Sequence, residues 1–322
     1  MILTFWFLFS RALALDVVCT LPYLADTAKR VAPSANVVSL ARGTDDPHFL
    51  SPTPALMAQV AKADLFVENG LGLELWSERL LDSAGNPQVR PGQNGYVKAT
   101  TGVPVLEVPA DVSRARGDLH AEGNPHVWTD PLNMKIVADN IATGLGRVDP
   151  SNAAVYTQNA AAYKKKIDEA LFGADLVGYM GGDLLSRLAA AGTLDTTLAK
   201  KRLTARLGGW LAKGAPLKGK PVVFYHQSWP YFIARFGVKV VGYVEDRPGI
   251  PPTAAHRDQL LGLMSAQGAS VIAVTNYNND RVPRLLGEAT GAKVVTVPGD
   301  VGGVSGATDY FSFIDGIIAA LL

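Results

Sequence analysis

Two α/β lobes, each with a four-stranded, mainly parallel sheet flanked by helices and joined by one long rigid helix, are predicted by three features of the chain. Short β-branched runs alternate with helix-forming stretches throughout, the pattern of successive βαβ units. Those runs fall into two sets of four. Between the sets lies "DPSNAAVYTQNAAAYKKKIDEALFG", which opens on an Asp-Pro-Ser start signal, continues in good helix formers and closes on glycine.

The strands of the first lobe are expected at residues 16–20, 37–40, 64–67 and 103–108, and those of the second at 222–225, 238–244, 270–274 and 293–297. The first lobe then covers 15–148, the linking helix 149–173 and the second lobe 174–322. Residues 174–216 read as a helical insertion that extends the packing of the second lobe before its sheet begins. No Gly/Ser-rich linker separates the halves, so they are expected to be held rigidly.

The first fourteen residues, "MILTFWFLFSRALA", read as an export leader. Ile2 to Phe9 is a short apolar run, and Ala12-Leu13-Ala14 has the small-x-small form of a cleavage site. A run this short cannot cross a bilayer, which takes about 20 apolar residues. Basic residues are missing ahead of it, so the true start is expected upstream, the leader being truncated. Cys19, the only cysteine, rules out an internal disulfide or a cysteine-based metal cluster. Val17 and Val18 precede it where a lipid-anchoring signal carries small residues, so it reads as a buried strand residue. Thirty Lys and Arg balance 29 Asp and Glu without any basic block, which argues against a nucleic-acid partner.

With only five histidines in 322 residues, their placement is informative. His48 follows a strand and the acidic loop "TDDPH", His126 stands in "EGNPHVWTDP", His226 comes directly off "VVFY", and Asp300 follows "VVTVPG". Parallel α/β sheets bind ligands beyond the carboxyl ends of their strands. All four residues are therefore expected at binding edges, two from each half. Three imidazoles and a carboxylate suit tetrahedral Zn2+, with Mn2+ the runner-up. Ligands so far apart in the chain require a site assembled in the cleft between lobes.

Pro47 and Pro125 stiffen the backbone before two of these histidines. Trp128 and Trp229 are expected to shield the ion, and Asp130 and Glu68 to act as outer hydrogen-bonding partners. Glu245, Asp246 and Asp309 compete with Asp300 for the carboxylate role. His120, with Asp118 and Glu122, lies in a polar loop that reads either as exposed chain or as an accessory metal-capturing arm; His256 reads as structural.

The stretches "DPHFLSPTPALMAQVAKADLFVENGLGLELW", "NPHVWTDPLNMKIVADNIATGL", "VVFYHQSWPYFIARFGVKVVGYVEDRPGIPPTAAH" and "VVTVPGDVGGVSGATDYFSFID" make the chain resemble the periplasmic metal-binding proteins of ABC importers, the zinc and manganese receptors. The resemblance implies two lobes bridged by a stiff helix, with metal ligands on His48, His126, His226 and Asp300. A histidine at the third position implies the zinc-binding subgroup with three histidines and one aspartate. It also implies a monomeric carrier in the periplasm, without enzymatic activity, that hands its ion to a membrane permease driven by an ATPase. In part of that subgroup a periplasmic chaperone supplies the zinc. Two departures stand out: the loop over 109–125 is short and holds only His120, and the 174–216 insertion is long.

A zinc hydrolase is the alternative from another class, disfavoured because no His-Glu-x-x-His helix is present and no acid immediately beside a ligand histidine is an obvious base. A surface-adhesin role is a third reading that no sequence feature separates from transport. Three neutral imidazoles predict loss of affinity near pH 5–6, below the ordinary histidine value of about 6.5.

Overall fold

The protein is described by a computed structural model covering residues 14–109, 120–247 and 249–322. The leader expected over 1–14 lies, apart from Ala14, outside the described residues, as does Asp118. In the first half β1 (Asp16–Cys19), β2 (Asn36–Ser39), β3 (Leu65–Glu68) and β4 (Tyr96–Lys98) form one sheet in the order β2-β1-β3-β4. In the second, β5 (Pro221–Phe224), β6 (Lys239–Tyr243), β7 (Val271–Thr275) and β8 (Lys293–Val297) form another in the order β6-β5-β7-β8. Every strand pair is parallel, and the two sheets share one topology.

Both faces of each sheet are covered, so the strands carry apolar residues in succession rather than in alternation. Val17, Cys19, Leu65, Val67 and Val97 face the main core. Their neighbours Val18 and Phe66 face a separate cluster with Val60, Trp76 and Leu80. In the second sheet Val222, Phe224, Ala273 and Val297 join the main core, while Val223, Ile272 and Val274 pack on Leu260, Met264 and Leu286. The main core runs unbroken from the first sheet to the second, so the halves share buried apolar surface.

The central helix occupies Ala153–Phe172 after a 3-10 turn at Pro150–Asn152, and stops at Gly173, whose φ of +86° is a conformation glycine adopts freely. Twenty helical residues span about 30 Å. Tyr156, Ala160, Tyr163, Ile167 and Leu171 form its buried stripe. Asp168 on the same helix is also buried, where Lys135 Nζ reaches both carboxylate oxygens at 2.8 Å and Ser186 Oγ donates at 2.8 Å. That cluster ties the helix Pro131–Val148 and the insertion helix Gly182–Ala190 to the linker. The insertion continues through helices Leu194–Lys201 and Gly209–Lys213.

One strand assignment is corrected. Residues 103–108 are not a strand, and β4 is instead the three-residue Tyr96–Lys98. Pro104 has no N–H to give a ladder. The segment's polar groups go to the other lobe and to its own loop: Leu106 N–H donates to Tyr231 Oη at 3.2 Å, and Leu106 O accepts from Asn124 N–H at 2.8 Å. β4 buries only Val97 fully, too short a run to register as a strand in sequence.

The halves also meet backbone to backbone. A Cβ built on Gly43 would lie 2.1 Å from Val301 O and 2.4 Å from Gly303 N, and Gly43 O accepts from Asn276 Nδ2 at 3.1 Å. Gly43→Ala is therefore expected to force the seam apart and cost about 3 kcal/mol; a melting temperature unchanged from the parent would show that the seam yields there.

Candidate metal centre

His48 lies in the loop after β2, His126 opens a 3-10 turn at Val127–Thr129, and His226 stands two residues beyond β5. The fold brings these three together: their ligand atoms all lie within 4.8 Å of one another. Ring centroids are 5.2 Å apart for His48 and His126, 5.6 Å for His48 and His226, and 6.0 Å for His126 and His226.

Each ring has one nitrogen occupied. Asp46 Oδ1 accepts from His48 Nδ1 at 2.7 Å and from the His48 backbone N–H at 3.0 Å. Asn124 Oδ1 does the same for His126, at 3.0 and 3.1 Å. Glu245 Oε2 stands 2.7 Å from His226 Nδ1. All three partners are oxygens that accept, so the proton sits on Nδ1 and the lone pair on Nε2. The Nε2 atoms of His48 and His126 are buried and have no hydrogen-bond partner. An orphaned buried acceptor is costly unless something fills it, and three convergent imidazole lone pairs suit a divalent cation.

Burial pushes the His126 imidazole well below its usual pKa, and the neighbouring histidines push it the same way, so it stays neutral and able to coordinate. Burial would raise Asp46, but the hydrogen bonds it accepts from the ring and backbone N–H of His48 help outweigh it and hold the carboxyl below its usual value. A cavity of about 190 Å³ opens beside the histidines, lined by Asp46, His48, Phe49, His226, Glu245, Gly249, Tyr277 and Asn278. Trp76 Nε1 donates to Pro47 O at 2.9 Å and fixes the loop that presents His48.

The other expected site residues are placed less uniformly. Asp300 is buried but does not join the three histidines. Its carboxylate takes the N–H of Val301 at 2.6 Å and that of Tyr23 in the first turn of the helix Pro22–Val31. Burial nevertheless drives its carboxyl pKa well up. Asp130 does not orient an imidazole: it caps the helix Pro131–Val148 through Leu132 N–H and receives two hydrogen bonds from Arg235, at 3.0 and 2.8 Å. Glu68 is likewise turned elsewhere, accepting from Ser77 Oγ and Tyr96 Oη.

Trp128 packs against His126 with centroids 5.3 Å apart and stacks on Tyr23 at 5.0 Å. Trp229 is a core residue stacked on Phe224. His120 lies against the site, its ring stacked on His48 at 5.3 Å and its Nδ1 3.1 Å from Gly72 O. Glu122 is exposed and paired with Lys98 at 2.6 Å. His256 contacts Tyr243 O at 2.9 Å through Nε2. The orienting residues Asp46 and Asn124 carried a signal that was missed, because both histidine loops read Asx-Pro-His. Glu245, nineteen positions from His226, has no such local mark.

Two parallel sheets of one topology, joined at a seam where three histidines converge, define a two-lobed α/β architecture. The chain belongs to the zinc-uptake complex component A periplasmic family, ZnuA, whose sequence pattern matches residues 17–171 and 197–322. Among curated relatives, the iron-binding protein YfeA of Yersinia pestis is 32% identical over 47% of this chain and 45% of its own length. The manganese ABC transporter substrate-binding lipoprotein scaA of Streptococcus gordonii is 31% identical over 49% of each. The high-affinity zinc uptake system protein ZnuA of Brucella abortus is 31% identical over 46% of this chain and 33% of its own. The chain thus spans about half the length, or less, of the curated relatives it matches. Among solved structures, a crystal structure of ZnuA covers 96% of this chain and 100% of its own with a TM-score of 0.69 at 19% identity. The laminin-binding adhesin of Streptococcus agalactiae covers 96% and 100% with a TM-score of 0.68 at 21% identity. At these identities the structural likeness speaks for the fold.

The depressed His126 makes stability pH-dependent with a definite sign. Above about pH 6.5 the ring is neutral in both folded and unfolded chains and contributes no slope. Below it the unfolded chain takes up a proton that the folded chain refuses, so stability falls with pH. The metal-free protein is expected to melt lower at pH 5.5 than at pH 7.5, and His126→Gln to flatten that difference; an equal slope in the variant would remove His126 as its source.

Proposed function

We propose that this protein is the metal-binding receptor of an ABC importer, working in the periplasm as a monomer, and that zinc is its cargo. The observation that carries the reading is the convergence of three imidazoles with Nδ1 occupied and Nε2 turned inward. Nitrogen donors favour zinc over the harder manganese and iron ions, although the chain is similar to relatives named for all three metals. A carrier needs a closed site without a catalytic water, and no enzymatic step is assigned to it. The bound ion passes to a membrane permease driven by an ATPase, and a periplasmic chaperone is a candidate donor.

Asp300 is proposed as the fourth ligand of the loaded state. It is a buried carboxylate with no cationic side chain among the described ion pairs, and a divalent cation beside it would favour its charged form. Its ionised carboxylate has acceptor sites beyond those taken by the backbone N–H groups of Tyr23 and Val301, and one of these would be offered to the ion. His120, stacked on His48, is proposed as the accessory residue that meets the incoming ion.

Elemental analysis after exposure to equal zinc and manganese tests this reading. A single zinc per chain is expected in the parent, absent from His226→Ala. Retention of manganese in preference would reassign the cargo. Asp300→Asn is expected to weaken zinc binding by at least about tenfold; unchanged affinity would restrict the ligand set to the three histidines.

A further inference from the structure

The imidazoles contributed by opposite lobes are connected through one side-chain amide. Asn124 Oδ1 accepts from both the backbone N–H and the Nδ1 of His126. Its Nδ2 donates across the seam to Gln227 O at 2.7 Å, the carbonyl of the residue that follows His226, and to Glu107 Oε2 at 2.9 Å. A backbone carbonyl and a carboxylate only accept, so the amide can face them only with its nitrogen. The backbone oxygen of the same residue accepts from Tyr231 Oη at 2.6 Å. Asn124 is buried, and its neighbour Glu107 is held at φ 54°, a left-handed conformation that a non-glycine residue adopts only when its surroundings impose it.

The other Asx-Pro-His loop shows what is special here. Asp46 performs the same service for His48, but a carboxylate has no N–H with which to reach a carbonyl in the opposite lobe. Among the described residues that aim the three imidazoles, Asn124 alone also holds the backbone beside another.

We propose that Asn124 is the positioning residue that sets the separation of His126 from His226, and thereby which size of divalent cation the site prefers; the proposal rests on the metal-receptor reading above. Zinc takes imidazole nitrogens at about 2.0–2.1 Å, and a larger ion needs the nitrogens farther apart. A strut of one short hydrogen bond in a buried seam resists that spreading. Without it the His226 loop moves away from His126, and discrimination against larger ions falls.

The test measures zinc and cadmium affinities by chelator competition on the whole chain, for the parent and for Asn124→Asp. That substitution keeps the acceptor for His126, removes both donors and sets a carboxylate against Glu107 and Gln227 O. Zinc affinity is expected to drop about 10–100-fold, cadmium affinity by less, so that the zinc-to-cadmium preference falls about tenfold. An equal drop for both ions, or none, overturns the proposal. The double variant Asn124→Asp/Glu107→Gln returns an N–H donor to the contact between positions 107 and 124 but not to Gln227 O. Its melting temperature is expected to recover while the metal preference stays low, and it decides the matter alone if the single variant does not fold. Recovery of both would make Asn124 a structural prop and overturn the proposal. A parent chain that binds neither ion would fail the receptor reading itself and take this proposal with it.

Discussion

An imidazole offers a cation one nitrogen, and which one depends on where the ring's single proton is held. In this protein that choice is made outside the three histidines, by Asp46, Asn124 and Glu245, each placing an oxygen at hydrogen-bond distance from an Nδ1. Once those three protons are fixed, three Nε2 lone pairs point at one volume. Much of the local architecture serves the oxygens. Trp76 holds Pro47, and Pro47 and Pro125 restrict the residues that carry the acceptors. Glu245 comes off the end of β6 beside the strand that leads to His226.

The same ordering extends into the seam between halves. Trp128 Nε1 donates to Gly299 O, Tyr310 Oη donates to Trp128 O, and Arg235 grips Asp130. All of these pass through the segment that follows His126. A site divided between two sheets is only as well defined as the joint between them, and here the joint consists of buried directional contacts together with a continuous apolar core. Asp130 and Asp300 belong to this joint in the structure. One caps a helix and binds an arginine; the other sits at the N-terminus of the helix Pro22–Val31, where backbone N–H groups favour a carboxylate.

Seven of the eight strands and the long helix were legible because burial on both sheet faces writes itself as runs of Val, Ile and Phe, and because glycine marks the helix end. β4 was not: three residues with one buried valine carry no pattern, and the apolar run at 103–108 belongs to a loop that packs across the seam against Tyr231. His48 and His226 were legible from topology, since each follows a strand in the chain; His126 was placed by the same reasoning after residues 103–108, which are no strand, and reaches the cluster from the loop before the 3-10 turn Val127–Thr129. Their partners were not anticipated, although two of them carry a local mark. The repeated Asx-Pro-His gives two of them, whereas Asp130 and Glu68 looked equivalent in sequence and were drawn to Arg235 and Tyr96 by contacts that only the fold creates. Trp229 shows the same limit: an aromatic three residues past His226 can cover the histidine cluster or fill the core, and here it fills the core.

What the three-histidine cluster costs by itself is the counterpart of what it can bind. The buried, unpaired Nε2 atoms of His48 and His126 each leave an acceptor without a partner, a penalty of about 1–3 kcal/mol in a protein interior. Burial of Asp300 adds a carboxyl held away from its charged form. A sequence selected only for stability would replace these groups with apolar ones, which commonly costs nothing or stabilises. Their presence in the seam is intelligible if the folded state is completed by a ligand that binds it and not the unfolded chain, because such a ligand adds its own binding free energy to stability. The tightly held outer oxygens then act in the same direction. They keep the lone pairs aimed at one volume, so that little ordering would be needed to bind a cation there.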